Sequence, residues 1–234
     1  MNNKRNILIT GTSRGIGKAL AQHFLEEGDT VIGCSRSDST LTHENYLHFK
    51  VDIADADSIR ELFFKVRKQI THLDILINNA GIAKMNAFAL TPPESLRKIM
   101  DINVNGTFLC SQRALGLLRK AKNPRIINMT TVAVPLQLEG EAAYAASKSA
   151  VETLTKIMAK ELGGFNITCN AIGPSPIQTD LIRGVSEEKI AELIQKQSVK
   201  KMAKVEDVIR LVDFLTHPDS SMITGQIIYL GGVS

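Results

Sequence analysis

The stretch "NILITGTSRGIG", residues 6–17, decides the fold. Its first five residues form a short apolar run, which predicts a buried strand. The glycines Gly11, Gly15 and Gly17 follow at a spacing slightly looser than Gly-x-Gly-x-x-Gly, and a helical pattern begins at Ile16. Glycines at such a point let the backbone turn tightly and approach a pyrophosphate, while the helix start presents unpaired N–H groups. The stretch therefore predicts a dinucleotide-binding loop, with a tight structural turn as the alternative.

Short apolar runs recur along the rest of the chain and alternate with stretches of helical composition and spacing. Several runs are apolar at consecutive positions, which is typical of strands covered on both faces. The alternation predicts an α/β fold, a parallel sheet with right-handed crossovers and helices on both faces. Strands are predicted at 6–10, 30–34, 47–51, 74–78, 125–129, 167–172 and 226–230. Helices are predicted at 16–27, 57–71, 94–120, 141–162 and 205–216.

Length and composition limit the class of protein. The 234 residues, 44% of them hydrophobic and 22% charged, suit one sizeable core, and we expect a single domain over 1–234. A net charge of +4 is small for a nucleic-acid-binding protein, so no nucleic-acid partner is expected. Basic runs at 119–125 and 196–204 indicate a solvated face. Attraction for an acidic substrate, a cofactor phosphate or an acidic carrier protein is the alternative for those runs.

Cysteine usage and the start of the chain indicate the compartment. Cys34, Cys110 and Cys169 are an odd number of widely spaced thiols without C-x-x-C, which argues against disulfides or a zinc site. The apolar segment at the N-terminus is too short for a signal peptide or a membrane span. We therefore expect a cytoplasmic protein with no membrane association and no metal.

The residues after the second predicted strand bear on the choice of cofactor. An acidic side chain there would bind both adenosine ribose hydroxyls and favour NAD, whereas an arginine would pair with a 2′-phosphate and favour NADP. The chain has Ser35 and Arg36, with no acid until Asp38, and Arg14 in the glycine loop is a second candidate. Two arginines favour NADP because guanidinium binds phosphate in a bidentate manner. If these are surface arginines, NAD is the alternative.

Two tyrosine–lysine pairs fit Tyr-x-x-x-Lys. Tyr144 and Lys148 lie in a predicted helix, where residues four apart share a face at about 6 Å. Tyr46 and Lys50 belong to a predicted strand, in which four residues span roughly 13 Å. Only the helical pair can couple, and a neighbouring ammonium would lower the tyrosine pKa from about 10 towards neutrality. We therefore assign the acid–base role to Tyr144 and a structural role to Tyr46.

The chain contains five motifs in this order: "TGTSRGIG" (10–17), "NNAG" (78–81), "DINVNG" (101–106), "YAASK" (144–148) and "NAIGPSPIQTD" (170–180). Together they resemble the short-chain dehydrogenase/reductase family over nearly the whole chain. The chain is most similar to the single-domain NADP-dependent ketoreductases, including the 3-oxoacyl-carrier-protein reductases. The resemblance implies a Rossmann-type doubly wound sheet of seven parallel strands. It also implies hydride transfer between NADPH and a carbonyl or secondary alcohol, with a 3-oxoacyl thioester as one candidate substrate.

The resemblance also implies roles for the catalytic residues. Tyr144 corresponds to the proton donor, and Lys148 to the residue that holds the nicotinamide ribose and lowers the tyrosine pKa. Asn103 corresponds to the residue that anchors a water in the proton relay. Thr131 stands at the position of the hydroxyl that orients the substrate carbonyl, and Thr130 is the alternative if the register is off by one.

The family pattern implies the cofactor contacts as well. Asp52 resembles the residue that contacts adenine, residues 78–81 resemble the segment on the adenosine side, and Ile177 and Thr179 resemble the loop that holds the carboxamide. The full expected set is Gly11, Ser13, Arg14, Gly15, Ile16, Gly17, Ser35, Arg36, Asp52, Ile53, Asn79, Ala80, Gly81, Tyr144, Lys148, Pro174, Ile177 and Thr179.

Three positions depart from the family pattern. Thr131 replaces a serine, and its extra methyl restricts χ1, so we expect activity with an altered substrate preference. Ser175 replaces a glycine, and because glycine permits backbone angles that serine resists, we expect a shifted nicotinamide loop. Phe165 stands about where relatives that serve acyl carriers have a basic residue, which weakens the carrier-protein interpretation.

Other expectations concern the lid, assembly and alternative functions. Residues 178–202 are predicted to form a substrate lid, and its apolar stripe at Ile190, Leu193 and Ile194 serves either substrate binding or core packing. The long helices 94–120 and 141–162 suit the family's homotetramer or a homodimer, unless their apolar faces are satisfied within one chain.

A non-catalytic NADP-binding regulatory or sensor protein is the alternative function from another class. Sugar-nucleotide epimerisation is disfavoured, because those relatives have a separate substrate domain.

Overall fold

A computed structural model describes residues 4–178 and 186–233 of the chain. Within these residues, seven strands form one sheet in the order β3-β2-β1-β4-β5-β6-β7, and every neighbouring pair is parallel. The strands are β1 (Asn6–Thr10), β2 (Thr30–Ser35), β3 (Tyr46–Lys50), β4 (Ile75–Asn78), β5 (Arg125–Met129), β6 (Thr168–Gly173) and β7 (Ile227–Tyr229).

The helices cover both faces of this sheet, so the predicted doubly wound α/β fold is confirmed. In the described chain they are α1 (Gly15–Glu26), α2 (Ala56–Gln69), α3 (Pro93–Met100), α4 (Gly106–Leu118), α5 (Ala133–Leu136), α6 (Ala142–Leu162), α7 (Glu187–Gln195) and α8 (Val205–Thr216).

The apolar runs in the sequence correspond to strands with a core on each side. In β1, Leu8 packs into one core beneath α2, α4 and α6, whereas Ile7 and Ile9 pack into the other beneath α1 and α8. All three side chains are fully buried. A strand covered on both faces has no solvent side, and this is why its residues do not alternate between apolar and polar.

The predicted helix 94–120 is not continuous, and that prediction was wrong at its centre. A π-helical turn, Asp101–Asn105, separates α3 from α4. The wider turn changes the phase of the helix, and Asn103 becomes fully buried within it. Such turns are rare and occur frequently at functional sites, because they redirect one side chain out of the regular helical pattern.

The strand order reverses between β1 and β4, and this places the site. In open parallel sheets, ligands bind in the crevice at the carboxyl ends of the strands on either side of such a switch point. The loops after β1, β2, β4, β5 and β6 all open into this crevice. No helix of the described residues is long and apolar enough to cross a membrane.

Candidate active site

The glycine loop follows β1 and opens α1. Gly11 and Gly15 have φ values of +78° and +56°, a left-handed backbone that side-chain-bearing residues rarely adopt. A Cβ on Gly17 would lie 2.3 Å from the Gly11 carbonyl oxygen and 2.4 Å from Asn79 Nδ2. Gly17, predicted as a cofactor contact, therefore serves close packing of α1 against the loop. This tight turn fits a pyrophosphate at the helix N-terminus.

Hydrogen bonds join the ends of β1 and β4. Thr10 Oγ1 accepts from the backbone N–H groups of Asn79 at 3.1 Å and Ala80 at 3.0 Å. In return, Asn79 Nδ2 donates to the Thr10 carbonyl oxygen at 2.8 Å. Because these bonds fix the β4 loop against the glycine loop, the predicted adenosine-side segment 78–81 and the predicted pyrophosphate loop form one wall.

Tyr46 supports the glycine loop from β3. Its hydroxyl donates to Thr12 Oγ1 at 2.9 Å, and it passes over Gly33, where a Cβ would lie 2.3 Å from that hydroxyl. Lys50, at the end of the same strand, forms an ion pair of 2.8 Å with exposed Asp38. The two members of this Tyr-x-x-x-Lys pair thus have different partners, which agrees with the structural role predicted for Tyr46.

A cleft of about 740 Å³ lies along the glycine loop and brings together most of the predicted cofactor contacts. Arg14 and Arg36, the two predicted phosphate-binding arginines, line it together with Asp38. The Ser35 hydroxyl is committed elsewhere, since it donates to the Ser37 carbonyl oxygen at 2.8 Å and lies 3.0 Å from His48 Nε2. The other predicted residues in its lining are Gly11, Ser13, Gly15, Ile16, Ser35, Asp52, Ile53, Asn79, Ala80 and Gly81.

A second cleft of about 600 Å³ adjoins the first, with Ile16, Asn79 and Gly81 in the lining of both. It brings together predicted residues from β5, α6 and the loop after β6: Thr131, Tyr144, Lys148, Pro174 and Ile177. From the predicted lid, Ile190 and Leu193 of α7 line this cleft. Thr179 and residues 180–185 of that lid lie outside the described residues.

Tyr144 and Lys148 lie on one face of α6, and both are buried. Lys148 Nζ donates to the Met129 carbonyl oxygen at 2.8 Å and lies 6.0 Å from the centroid of the Tyr144 ring. Burial lowers the pKa of Lys148 to about 8 and raises the pKa of Tyr144 to about 12. We predicted that Lys148 lowers the Tyr144 pKa. Among the protein's own residues the net effect is a raised pKa, because desolvation of the phenolate is the largest cause.

Thr130 and Thr131 face different partners. Thr130 Oγ1 donates to Glu152 Oε1 at 2.5 Å, and it is buried. A hydrogen bond with Thr131 lowers the pKa of Tyr144, which places the Thr131 hydroxyl next to the phenol. Thr131 is thus the threonine positioned beside the tyrosine, as the sequence register predicted.

Asn103 lies behind the site and lines neither cleft. Its Oδ1 accepts from the Ile82 N–H at 2.9 Å, and its Nδ2 donates to the Ile82 carbonyl oxygen at 3.0 Å and to Ser147 Oγ at 2.9 Å. A Cβ on Gly81 would lie 3.2 Å from Asn103 Oδ1 and 3.3 Å from Lys148 Nζ. The amide thus holds the β4 loop against α6, and its water-anchoring role stays a prediction.

Comparison with known proteins agrees with this geometry. Residues 11–233 match the family model described as enoyl-(acyl carrier protein) reductase. The chain is 34% identical to the 3-oxoacyl-(acyl-carrier-protein) reductase FabG of Thermotoga maritima, over 96% of this chain and 95% of that protein. It is 32% identical to a short-chain type dehydrogenase/reductase of Picea abies, over 97% and 91%.

The chain belongs to the short-chain dehydrogenase/reductase family. This membership makes it a pyridine-nucleotide-dependent oxidoreductase that acts on C=O and CH–OH groups. A solved structure of 4-hydroxyisoleucine dehydrogenase complexed with NADH superimposes on it with a TM-score of 0.91, at 28% identity, covering 98% of both chains.

Two buried acids of this short-chain dehydrogenase/reductase were missed by the sequence reasoning. Glu152 accepts from Thr130 and from the Tyr229 hydroxyl, the latter at 2.7 Å, and so joins β7 to the end of β5. Tyr144, Lys148 and Glu152 follow one another at four-residue intervals on α6, and this spacing was a signal for it. Glu141, at the start of α6, lines the second cleft.

The backbone at Ser175 does not require glycine, and the predicted shift of the nicotinamide loop stays a prediction. Among the described residues, the non-glycine residues with positive φ are Gln137 and Asn166, so Ser175 has an ordinary backbone. Its side chain is 4% exposed and lies in the lining of the second cleft. Serine in place of glycine therefore adds a hydroxyl group to the lining of this cleft, and the backbone there is not left-handed.

Proposed function

We propose that the protein is an NADPH-dependent reductase that transfers hydride between the nicotinamide and a ketone or secondary alcohol. The proposal rests on one observation: Thr131, Tyr144 and Lys148 line a single cleft, and this cleft adjoins the glycine-loop cleft. NADPH, when bound, supplies the hydride. The chain's own residues bind the cofactor, donate the proton and orient the carbonyl.

Tyr144 is the proton donor in this proposal. Its raised pKa of about 12 keeps the phenol protonated near neutral pH, which is the form required to donate to a carbonyl oxygen during reduction. Thr131 donates a hydrogen bond to the same oxygen and so orients the carbonyl. Lys148 remains anchored to the Met129 carbonyl and faces the ribose side, where Gly81 leaves room beside Nζ.

The preference for NADP rests on charge at the far end of the first cleft. Arg14 and Arg36 both line it, and guanidinium pairs with a phosphate dianion in a bidentate manner. Two acids line this cleft, and both have partners in the described structure: the Asp38 carboxylate is paired with Lys50 Nζ at 2.8 Å, and Asp52 Oδ1 accepts from the Ala54 N–H at 3.0 Å. A ribose 2′-phosphate is therefore favoured over a bare ribose hydroxyl.

Finer expectations on organisation belong to the same proposal. We take residues 1–234 as one domain, with 178–202 as the substrate lid, and the cell's cytoplasm as its location. A homotetramer or homodimer is supported by two exposed apolar side chains, Phe108 of α4 and Ile157 of α6, each 47% exposed.

The test is initial-rate consumption of NADPH and of NADH with a panel of carbonyl compounds. The panel includes short β-keto esters, 3-oxoacyl thioesters, steroid ketones and keto-sugars, and the alcohol product is identified by mass spectrometry. We expect turnover with NADPH at a higher kcat/KM than with NADH. Tight binding of NADPH without turnover of any carbonyl would contradict the proposal and favour a non-catalytic sensor.

A further inference from the structure

Glu141 lines the substrate cleft and has a buried carboxylate oxygen without a hydrogen-bond partner among the described residues. The residue is 9% exposed, directly precedes α6 and lines the second cleft three positions before Tyr144. Its Oε2 atom is buried and has no hydrogen-bond partner in the part of the chain that the structure describes. A buried polar atom without a partner is unfavourable, and in native proteins such atoms usually bind a water or ligand.

A second unpaired polar group lies in the lining of the same cleft. Ser175, on the loop after β6, is 4% exposed, and its Oγ also lacks a partner among the described residues. Much of the remaining lining is apolar, including Val132, Leu138 and Leu193. Ligand sites typically combine apolar walls with a few placed polar groups that fix orientation. Glu141 and Ser175 fit that description.

The charge around Glu141 indicates which hydrogen-bond donor it takes. Lys189 of the α7 helix is close enough for its ammonium to lower the Glu141 pKa, against a larger rise caused by burial. Because the Lys189 ammonium already lies near this carboxylate, it would repel a second cation on the substrate. A neutral hydroxyl group is therefore favoured over an ammonium as the partner.

We propose that Glu141 determines substrate specificity by accepting a hydrogen bond from a hydroxyl group of the substrate. Glu141 and Tyr144 line the same cleft, and the Glu141 carboxylate is close enough to raise the Tyr144 pKa, so this hydroxyl lies near the carbonyl that Tyr144 protonates. The preferred substrates are hydroxy ketones with the hydroxyl on the first or second carbon from the carbonyl. The inference rests on the proposed reductase function and names its substrate class.

The experiment compares matched ketones with and without a hydroxyl group. The pairs are 1-hydroxy-2-butanone and 4-hydroxy-2-butanone, each against 2-butanone, and 2-hydroxycyclohexanone against cyclohexanone. An aminoketone, 1-amino-2-propanone, tests the ammonium alternative against hydroxyacetone. NADPH consumption gives kcat/KM for the wild type, Glu141→Gln, which keeps one acceptor oxygen, and Glu141→Leu, which has no acceptor. Glu139→Gln is the control, because Glu139 is an exposed carboxylate of the same cleft.

We expect the wild type to favour the hydroxylated member by about 10- to 100-fold in kcat/KM, the range typical of a hydrogen bond to a charged group. This preference should largely disappear in Glu141→Leu, fall partway in Glu141→Gln and survive in Glu139→Gln. Equal rates within every pair, a preference that survives Glu141→Leu, or a preference for the aminoketone would overturn this inference alone. If no ketone is reduced by the wild type, the proposed function fails and this inference fails with it.

Discussion

Lys148 Nζ donates a hydrogen bond to the Met129 carbonyl oxygen at 2.8 Å, where β5 ends. This bond joins α6 to the sheet within the substrate cleft and fixes the ammonium beside the Tyr144 ring. Lys148 is 4% exposed, and burial lowers its pKa from 10.5 to about 8. The protein therefore holds a largely desolvated cation at the point where the proposed chemistry takes place.

The buried ammonium predicts a pH dependence of stability. Below pH 8, Lys148 is protonated in both folded and unfolded states, and burial of the charge destabilises the fold. As the pH rises from about 8 to 10.5, the folded state loses this proton first, so the wild type gains stability relative to Lys148→Met. The relative gain should be about 3 kcal/mol across that window. Urea unfolding at pH 7.5, 9 and 10.5 measures it.

The control for this measurement is Lys156→Met, which removes an exposed lysine from the same helix. Its stability relative to the wild type should stay constant over the same pH values. A Lys148→Met curve that runs parallel to the wild-type curve would contradict the assignment of a buried, charged Lys148.

The two threonines after β5 should separate activity from stability. Thr131→Ala removes the hydroxyl beside Tyr144, and we expect kcat/KM to fall about 100-fold, as for loss of one donor to a reacting oxygen. Thr131→Ser should stay within a few-fold of the wild type. Thr130→Val leaves Glu152 one partner short and should lower the free energy of unfolding by about 1–3 kcal/mol, with less than a tenfold effect on turnover. Full activity of Thr131→Ala beside an inactive Thr130→Val would reverse the assignment.

Arg36 and Arg14 should determine the cofactor preference. Loss of a charge-assisted contact to a 2′-phosphate lowers kcat/KM for NADPH by about 10- to 100-fold in each alanine variant. The value for NADH should change by less than about threefold, since NADH has no phosphate at that position. Arg60→Ala, on the exposed side of α2, is the control. A parallel loss with both cofactors would indicate a structural role for the arginines.

Gly17 and Gly116 test the packing of the glycine loop. Both are helical, but a Cβ on Gly17 would lie 2.3 Å from the Gly11 carbonyl oxygen, whereas Gly116 has nothing within 4 Å. Gly17→Ala should lower the melting temperature and weaken NADPH binding, because the start of α1 must move. Gly116→Ala should raise stability by about 0.5–1 kcal/mol through helix propensity. Calorimetry and cofactor fluorescence measure these effects, and equal tolerance of both substitutions would contradict the packing.

Much of the fold could be predicted from the sequence, because strands buried on both faces and amphipathic helices leave strong local patterns. Strands β1 and β5 and helix α8 match their predicted bounds, and each of the other strands differs by one residue at one or both ends. The π-helical turn at Asp101–Asn105 could not be predicted from periodicity. Its cause is non-local, since Asn103 turns inward to bond the Ile82 backbone and Ser147 across the fold.

The candidate site was predictable where residues of one motif act together, and less so where partners come from distant segments. Tyr144 and Lys148 follow from helical spacing alone. Tyr46 lies over Gly33 and donates a hydrogen bond to Thr12. These contacts depend on the pairing of β2 with β3, and no sequence spacing reveals them. Likewise, nothing in the sequence showed that Glu141 would be buried with an unpaired oxygen. Burial, a property of the fold that helical spacing does not reveal, raises the pKa of Tyr144.

The most direct test of the central claim compares two tyrosine variants of the same Tyr-x-x-x-Lys pattern. Initial rates of NADPH consumption are measured with the best ketone for the wild type, Tyr144→Phe and Tyr46→Phe. Tyr144→Phe should fold, bind NADPH and lose turnover by about 100- to 10,000-fold, the range for removal of a general acid. Tyr46→Phe should keep turnover within a few-fold, although it loses its hydrogen bond to Thr12. Turnover that persists in Tyr144→Phe within tenfold of the wild type would contradict the account.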